Sequence, residues 1–344
     1  MPPITARPSW QHTVLAPPPW TPLLIAARWW VRYGPGIGLK QRLVREWLDV
    51  GLRQRPRPPR IVRTRYRGRF SIPTTLDFIP RTIYVQGCWE ACLSALVASR
   101  LRAGDRFIDI GAAGGWYSVL AARQVGPTGS VVAVEPALET LEQLRANLAL
   151  NRCDNVRVVQ AAVSVEPGPV RLYLPDYGNT GATTTIRPDN PASEITVAGL
   201  PLAEMLEPAD IENARMIKID VEGAENIVLA QLARLIPRLR ADCEILTEIT
   251  PQWLAVGGHA AEDVLKPFAD SGFRAYKVYN SYAPEDMTAA VRHPLAFAPT
   301  SIAGVITRQT DLLLTRADPE QHRTRVGGWR WRPSMRLRAT AAHG

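Results

Sequence analysis

Between residues 107 and 279, short aliphatic runs alternate with stretches whose apolar positions recur every three or four residues. Phe107–Ile110, Val131–Val134, Val156–Ala161, Met216–Asp220, Cys243–Ile249 and Phe273–Tyr279 are brief and mostly apolar, the pattern of strands buried on both faces. Helical spacing fills the gaps: Trp116–Ala122, Ala137–Leu150, Glu225–Ile236, and part of Trp253–Asp270. Leu138, Leu141, Leu144 and Leu148 are the expected inner face of the second of these helices; Val264, Leu265 and Phe268 are that of the last, which Gly272 closes. Trp89–Leu101 predicts a further helix, and residues 61–86 read as short strands ahead of the main fold. Strands at 170–174 and 195–197 flank a long polar loop, Pro175–Ala192. Ile302–Ile306 and Asp311–Thr315 are expected to pair around Arg308–Thr310 and end the sheet. Strands alternating with helices predict an α/β, doubly wound, mostly parallel sheet.

The ends of the chain follow another pattern. Residues 22–33 and 39–53 have helical spacing, are separated by Gly34-Pro35-Gly36 and are followed by the proline-rich linker 54–60. Residues 1–70 hold fourteen Arg and Lys against Glu46 and Asp49, and residues 321–344 hold six Arg and no acid. The overall net charge of +9 therefore hides a middle segment, 71–320, at −9. Seven of the ten tryptophans lie in the two basic ends. This divides the chain into a basic, Trp-rich extension (1–70), a main domain (71–320) and a basic tail (321–344). Packing of the extension on the main domain or on a second subunit is the plainest expectation. A basic helix bearing Trp also leaves open a peripheral membrane contact, and a homo-oligomer is left open too. Nucleic acid is disfavoured, because no recognised binding module accompanies the charge.

Cys88, Cys92, Cys153 and Cys243 are scattered, and no histidine neighbours the first pair. That spacing argues against zinc and for free thiols in a reducing compartment. No apolar run reaches the roughly 18–20 residues a bilayer requires. The resulting expectation is a soluble cytoplasmic protein.

The chemistry centres on Phe107–Ser118. A strand runs into Gly111, Gly114 and Gly115 and then into a helix, a construction that brings bare backbone to a nucleotide-like ligand. Glu135 closes the next strand 24 residues after Gly111, about where an acid takes ribose hydroxyls in a βαβ unit. A dinucleotide-binding unit would want G-x-G-x-x-G, which this turn lacks.

Gly87-Cys88-Trp89-Glu90, Asp109-Ile110-Gly111-Ala112, Glu135-Pro136, Ala162-Val163-Ser164 and Lys218–Glu225 together resemble the FkbM-type family of S-adenosylmethionine-dependent methyltransferases. The resemblance is close over about 85–250 and looser to about 316. It implies a Rossmann-like class I methyltransferase sheet with an antiparallel last strand, S-adenosylmethionine as cofactor, and methylation of a hydroxyl on a sugar, polyketide or other natural-product acceptor. Gly111, Ala112 and Gly115 would admit the methionine and ribose parts. Glu135 would hold the diol, Gln160 and Ala161 would border the adenine, and Glu90, Asp109 or Asp220 would face the cationic end. The family's usual T-L-D-D-L-L is here Gly199–Leu206, with Pro201 in place of the first aspartate.

Candidate bases lie where strands end, because ligands bind outside the carboxyl ends of such strands: Asp220, Glu222, Glu225, Glu248 and His259. Asp220 is the expected base or hydroxyl anchor and Glu248 the second. Lys218, two residues before Asp220, should point to the same side, deeper in the sheet. No metal is assigned, although an all-carboxylate site would suit Mg²⁺. The acceptor pocket is expected from Tyr177–Ile186, the region after Glu248 and the N-terminal helices. The rival reading is a non-catalytic interaction protein that keeps the fold and works through its basic ends.

Overall fold

Six strands from the middle of the chain do pair as one sheet, and the order in which they do so decides where the chemistry falls. The computed structural model describes residues 21–174, 181, 183–189, 191–294, 299–301 and 305–317. The chain begins there with α1 (Thr21–Tyr33), α2 (Ile37–Leu43), a π-helical turn over Val44–Leu48, and α3 (Asp49–Gln54). A hairpin of β1 (Arg60–Arg63) and β2 (Arg69–Ile72) leads to α4 (Phe78–Gln86) and α5 (Ala91–Arg100). Then come β3 (Arg106–Ile110), α6 (Trp116–Val125), β4 (Ser130–Val134), α7 (Leu138–Asn151), β5 (Val156–Val159), β6 (Ala162–Val163), β7 (Gly168–Leu174) and β8 (Ser193–Leu200). Two short helices, α8 (Leu202–Met205) and α9 (Pro208–Glu212), precede β9 (Ala214–Ile219), α10 (Glu225–Leu235) and β10 (Glu244–Ile249). The rest is α11 (Pro251–Val256), α12 (Ala261–Asp270), β11 (Arg274–Val278), α13 (Pro284–Arg292), β12 (Thr300–Ser301) and β13 (Thr310–Thr315).

The eight-stranded sheet runs β12-β11-β13-β10-β9-β3-β4-β5. β5, β4, β3, β9 and β10 are parallel, and β13 is antiparallel to both its neighbours. This is the mostly parallel, doubly wound sheet expected. One apolar core lies on each face: Phe107, Val131, Met216 and Leu246 point to one side, and Ile108, Val132, Ile217 and Ile245 to the other. The alternation follows from the two-residue period of strand side chains.

Several local expectations change. Residues 78–86 form a helix, not a strand: the Asp77 side chain accepts the Ile79 amide at 3.1 Å, and Gly87 at φ 73° ends it. The third strand stops at Val159. After Gln160 and Ala161 the chain leaves the main sheet, and β6 joins β8 and β7 in a three-stranded sheet. β13 does not end the sheet but enters between β10 and β11, a place that suits Leu312–Leu314, which are buried. The edge is instead β12, paired with Tyr276 and Lys277. Residues 305 and 306 are not in a strand, and 302–304 lie outside the described residues. Leu138 is exposed, while Leu141, Leu144 and Leu148 are buried. Val264 and Leu265 are half-buried and Phe268 fully buried.

Residues 21–72 share the core of the sheet's first face. Leu24, Val31, Val44, Leu48 and Leu52 are buried in it with Tyr84, Leu93 and Val97, and β2 crosses the division drawn at residue 70. The join is polar as well. The C-cap amide of Gly87 reaches only the Ile83 carbonyl among the last carbonyls of α4, and arginines of α1 supply the rest: Arg28 Nε donates to Tyr84 at 2.5 Å, and Arg32 spans three of them. Its Nη2 donates to Ile83 and Tyr84 at 2.9 and 2.6 Å, its Nε to Val85 at 3.1 Å, and its Nη1 to Arg63 at 2.8 Å. Burial, with Arg28 alongside, pulls the guanidinium down to about 10, so it stays charged at neutral pH. Residues 1–20 and the tail 321–344 lie outside the described residues, and among the described residues no helix is long and apolar enough to cross a membrane.

Arg32→Ala would leave the Val85 carbonyl without its donor, while the Gly87 amide and Arg28 Nε still reach Ile83 and Tyr84. A loss of about 1–3 kcal/mol in unfolding free energy is expected, measured by urea denaturation. Little change would mean that α1 is not fixed through this contact.

Candidate active site

β3 delivers the chain to Gly111 at φ +85°, where an added Cβ would stand 1.8 Å from the Asp220 carbonyl oxygen. Gly115, at φ +84° before α6, would put a Cβ 2.5 Å from Leu144 Cδ1. Both glycines are therefore required by contacts inside the protein, one with the exit of β9 and one with α7. The Gly111 and Ala112 amides donate to the Val134 carbonyl at 3.0 and 2.9 Å, which ties the turn to the end of β4.

Glu135 sits just past that point and is buried. Its Oε2 accepts the Ala113 amide at 2.8 Å; its Oε1 accepts the Ala137 amide at 3.0 Å and the Thr140 hydroxyl at 2.7 Å. A carboxylate offers about four acceptor positions, so one, on Oε2, remains for a ligand hydroxyl. Burial raises the Glu135 carboxyl pKa against the pull of these donors. Gln160 is exposed and Ala161 buried, in the turn between β5 and β6.

Lys218 lies deeper, as its register on β9 requires. It is buried, its Nζ donates to Asp220 Oδ2 at 2.6 Å, and it stands 4.5 Å from the centre of the Tyr117 ring. Burial works against its charge, but Asp220, Asp109 and Glu90 outweigh that and raise its pKa. Asp109 accepts the Ser118 hydroxyl at 2.6 Å on Oδ2, and its buried Oδ1 has no partner. Glu90, in the left-handed region at φ 39°, accepts Tyr117 at 2.7 Å on Oε2, and Asn280 and Tyr282 at 3.0 and 2.9 Å on Oε1. Burial first, and then Asp220, raises the Glu90 carboxyl pKa.

The second half of the site gathers where β9 and β10 end. Asp220, Glu222 and Glu248 bring carboxylate oxygens within 4.8 Å of one another, close enough for one divalent cation. Burial and the neighbouring acids push Glu222 up to about 10, Glu225 to about 8 and Glu248 to about 7. The described part of the long loop lies against this cluster: the Thr185 amide donates to the Glu222 carbonyl at 3.0 Å, and Ile186 covers Gly223. Most of Tyr177–Ala182 lies outside the described residues. His259 is exposed in the turn after α11, outside this carboxylate group. Pro201 caps the start of α8.

Tyr117, Asn280, Tyr282 and Asp311, none of them among the expected site residues, also meet here. Tyr282 stacks on Trp89 with ring centres 5.8 Å apart, and its hydroxyl lies 3.5 Å from Glu248 Oε2, so it links Glu90 to Glu248. Asp311 pairs with Glu248 on one side and Val278 on the other, at the start of β13. Burial, then Glu90 and Glu248, hold its pKa well above the carboxylate range. A carboxylate opening an otherwise apolar strand was the available signal for Asp311. For Tyr282 it was a polar cluster immediately after a strand end.

The donor set suits S-adenosylmethionine. Five acids (Glu90, Asp109, Asp220, Glu222 and Glu248) act on Lys218, with Asp311 beyond them beside Glu90 and Glu248, a surplus of acceptors fitting a cationic ligand, and the orphaned Asp109 Oδ1 and the spare position on Glu135 point to further donors. Residues 109–275 match the family model of the methyltransferase FkbM domain, and this part of the chain is an S-adenosylmethionine-dependent methyltransferase domain of that family. A comparison with curated proteins finds no match. Among solved structures the chain is similar to a precorrin-6y C5,15-methyltransferase from Geobacter metallireducens (14% identity, 65% of this chain and 88% of that one, TM-score 0.36). It is also similar to Aeropyrum pernix fibrillarin with bound S-adenosyl-L-methionine (16%, 75% and 94%, 0.37), and to an O-methyltransferase from Thermotoga maritima (17%, 76% and 78%, 0.37).

A carboxyl whose folded pKa exceeds its unfolded value holds its proton more tightly when folded, so stability falls as pH rises through that interval. With Glu248 at about 7 and Glu225 at about 8, the ligand-free protein should melt at progressively lower temperature from about pH 5.5 to 8.5. Glu222→Gln should raise the pH 8 melting temperature by about 2 °C and flatten the slope. A lower melting temperature in that variant would show that the cluster is not under repulsion.

Proposed function

We propose that this domain methylates a hydroxyl on a small acceptor such as a sugar, polyketide or related natural product. The observation that carries the reading is the gathering of Asp220, Glu222 and Glu248 at the carboxyl ends of β9 and β10, beside the Gly111–Gly115 turn. Glu135 would take the ribose diol through the open position on Oε2, with Gln160 and Ala161 beside the adenine. Gly111, Ala112 and Gly115 would flank the methionine part, and Asp109 and Glu90 would face the cationic end. S-adenosylmethionine, when bound, supplies the electrophilic methyl group.

The protein's own work is positioning and proton removal. Asp220 has Oδ2 engaged by Lys218, which leaves Oδ1 to accept the acceptor hydroxyl. Glu248, poised at about 7, is the better proton acceptor at neutral pH. With the methyl group passing from the sulfonium to the acceptor oxygen, Glu248 would take up the hydroxyl proton, so that the products would be a methyl ether and S-adenosylhomocysteine. Lys218 already supplies the cation beside Asp220, so no metal is required. The described loop residues 183–186 and Asn280–Tyr282 would shape the acceptor side.

Glu135→Ala should weaken S-adenosylmethionine binding in calorimetry by tenfold or more; unchanged affinity would remove the assigned cofactor site, and with it the methyl transfer. Asp220→Asn should lower kcat about 10²–10³-fold with cofactor affinity largely kept. In the parent, kcat/KM should climb with pH through about 7 as Glu248 loses its proton, and Glu248→Gln should abolish that limb. Turnover should survive EDTA; loss restored by Mg²⁺ would assign the three carboxylates to a metal instead.

A further inference from the structure

Helix α1 buries Leu24 and Val31 in the core and carries a second apolar face outward. At 3.6 residues per turn, Pro22, Ile25, Ala26, Trp29 and Tyr33 fall within an arc of about 100°, and all five are exposed. Ile25, Trp29 and Tyr33 are 56%, 58% and 65% exposed, and Trp29 and Tyr33 contact each other with ring centres 5.9 Å apart. No charged side chain falls in that arc. The arginines of the helix turn inward instead, Arg32 onto the carbonyls of α4 and Arg28 over the Tyr84 ring at 4.2 Å. A surface helix ordinarily puts its charged residues, not a second apolar stripe, on the face away from the core. Leu23, also exposed, borders the stripe.

Positive charge lies at one end of it. Arg32 Nη1 donates to the Arg63 carbonyl at 2.8 Å, and Arg65 reaches the Arg32 carbonyl at 3.4 Å, so the β1–β2 hairpin adjoins the Tyr33 end of α1. On that hairpin Arg63, Arg65, Arg67 and Arg69 are all exposed.

We propose that this face is a docking surface for an anionic phospholipid bilayer. The apolar stripe would enter the headgroup boundary with α1 lying in the membrane plane, Trp29 and Tyr33 at the level where such rings are favoured, and the hairpin arginines over the lipid phosphates. Charge separates this occupant from the others. α1 holds no acid, so a second copy meeting it stripe to stripe would offer the hairpins no counter-charge from that helix. Residues 1–20 contain Arg7 and no acid, so they offer the hairpin no counter-charge. An anionic bilayer supplies both, its acyl chains the apolar depth and its headgroup phosphates the opposite sign.

The test uses the full chain with vesicles of phosphatidylcholine alone or mixed with phosphatidylglycerol, read by co-sedimentation. The parent should sediment with the mixed vesicles and at least tenfold less with phosphatidylcholine. The double variant Ile25→Glu, Trp29→Glu should lose tenfold or more of that binding at an unchanged melting temperature. Arg63→Glu with Arg67→Glu, which leaves α1 intact, should lose the preference for the anionic vesicles. The proposal is overturned if the parent ignores both vesicles, or if the α1 variant binds as the parent does. It is also overturned if the parent is a dimer that the α1 variant dissociates without any vesicle binding, in which case a second copy covers the stripe.

Discussion

A buried ammonium on Lys218 is what lets so many carboxylates share one end of the sheet. It bonds Asp220 directly, and Asp109 and Glu90 lie close enough to hold its proton in place. Burying a lone ammonium or a lone carboxylate costs several kcal/mol, and each becomes tolerable only in the other's company. One cation does not balance the set, and the excess emerges as the raised carboxyl pKa values of Glu222, Glu225 and Glu248. Several of these carboxyls therefore keep their protons near neutral pH, and a cation placed among them would favour their charged form.

The parts that position this end of the sheet come from well outside the FkbM-domain match. Arg32 of α1 holds the C-terminus of α4, Gly87 ends that helix beside the same guanidinium, and three residues later Glu90 enters the site in a left-handed turn. Asn280 and Tyr282, beyond β11, close on Glu90 from the other side. The N-terminal helices are thereby connected to the acid they help to aim, through carbonyls and a glycine rather than through apolar packing alone.

The sheet was legible because its strands are buried on both faces and read as apolar runs, from Phe107–Ile110 to Phe273–Tyr279. The register of Lys218 and Asp220 followed from the two-residue period. What escaped was set at long range. Residues 78–86 are rich in β-branched and aromatic side chains, and their helix depends on a cap at Asp77 and on arginines some fifty positions earlier in the chain. The insertion of β13 between β10 and β11 leaves no local trace beyond its two-sided burial, so Asp311 went unnoticed beside Glu248. The glycines at 111 and 115 were found for a reason only partly right: the sequence marks where a side chain is forbidden, but not which neighbour forbids it.

That neighbour matters at Gly111. With the Asp220 carbonyl filling the space a methyl group would need, and the Asp220 amide bonded to the Ile110 carbonyl at 2.9 Å, the exits of two adjacent strands are welded into a single mechanical unit. The exits of β3 and β9 cannot drift apart or be retuned separately, and in the proposed reading these would be the cofactor and acceptor sides. Diversity in what such a scaffold modifies must then be written in the detachable surroundings, the segments near 183–186 and 280–282, while the spine beneath them stays fixed.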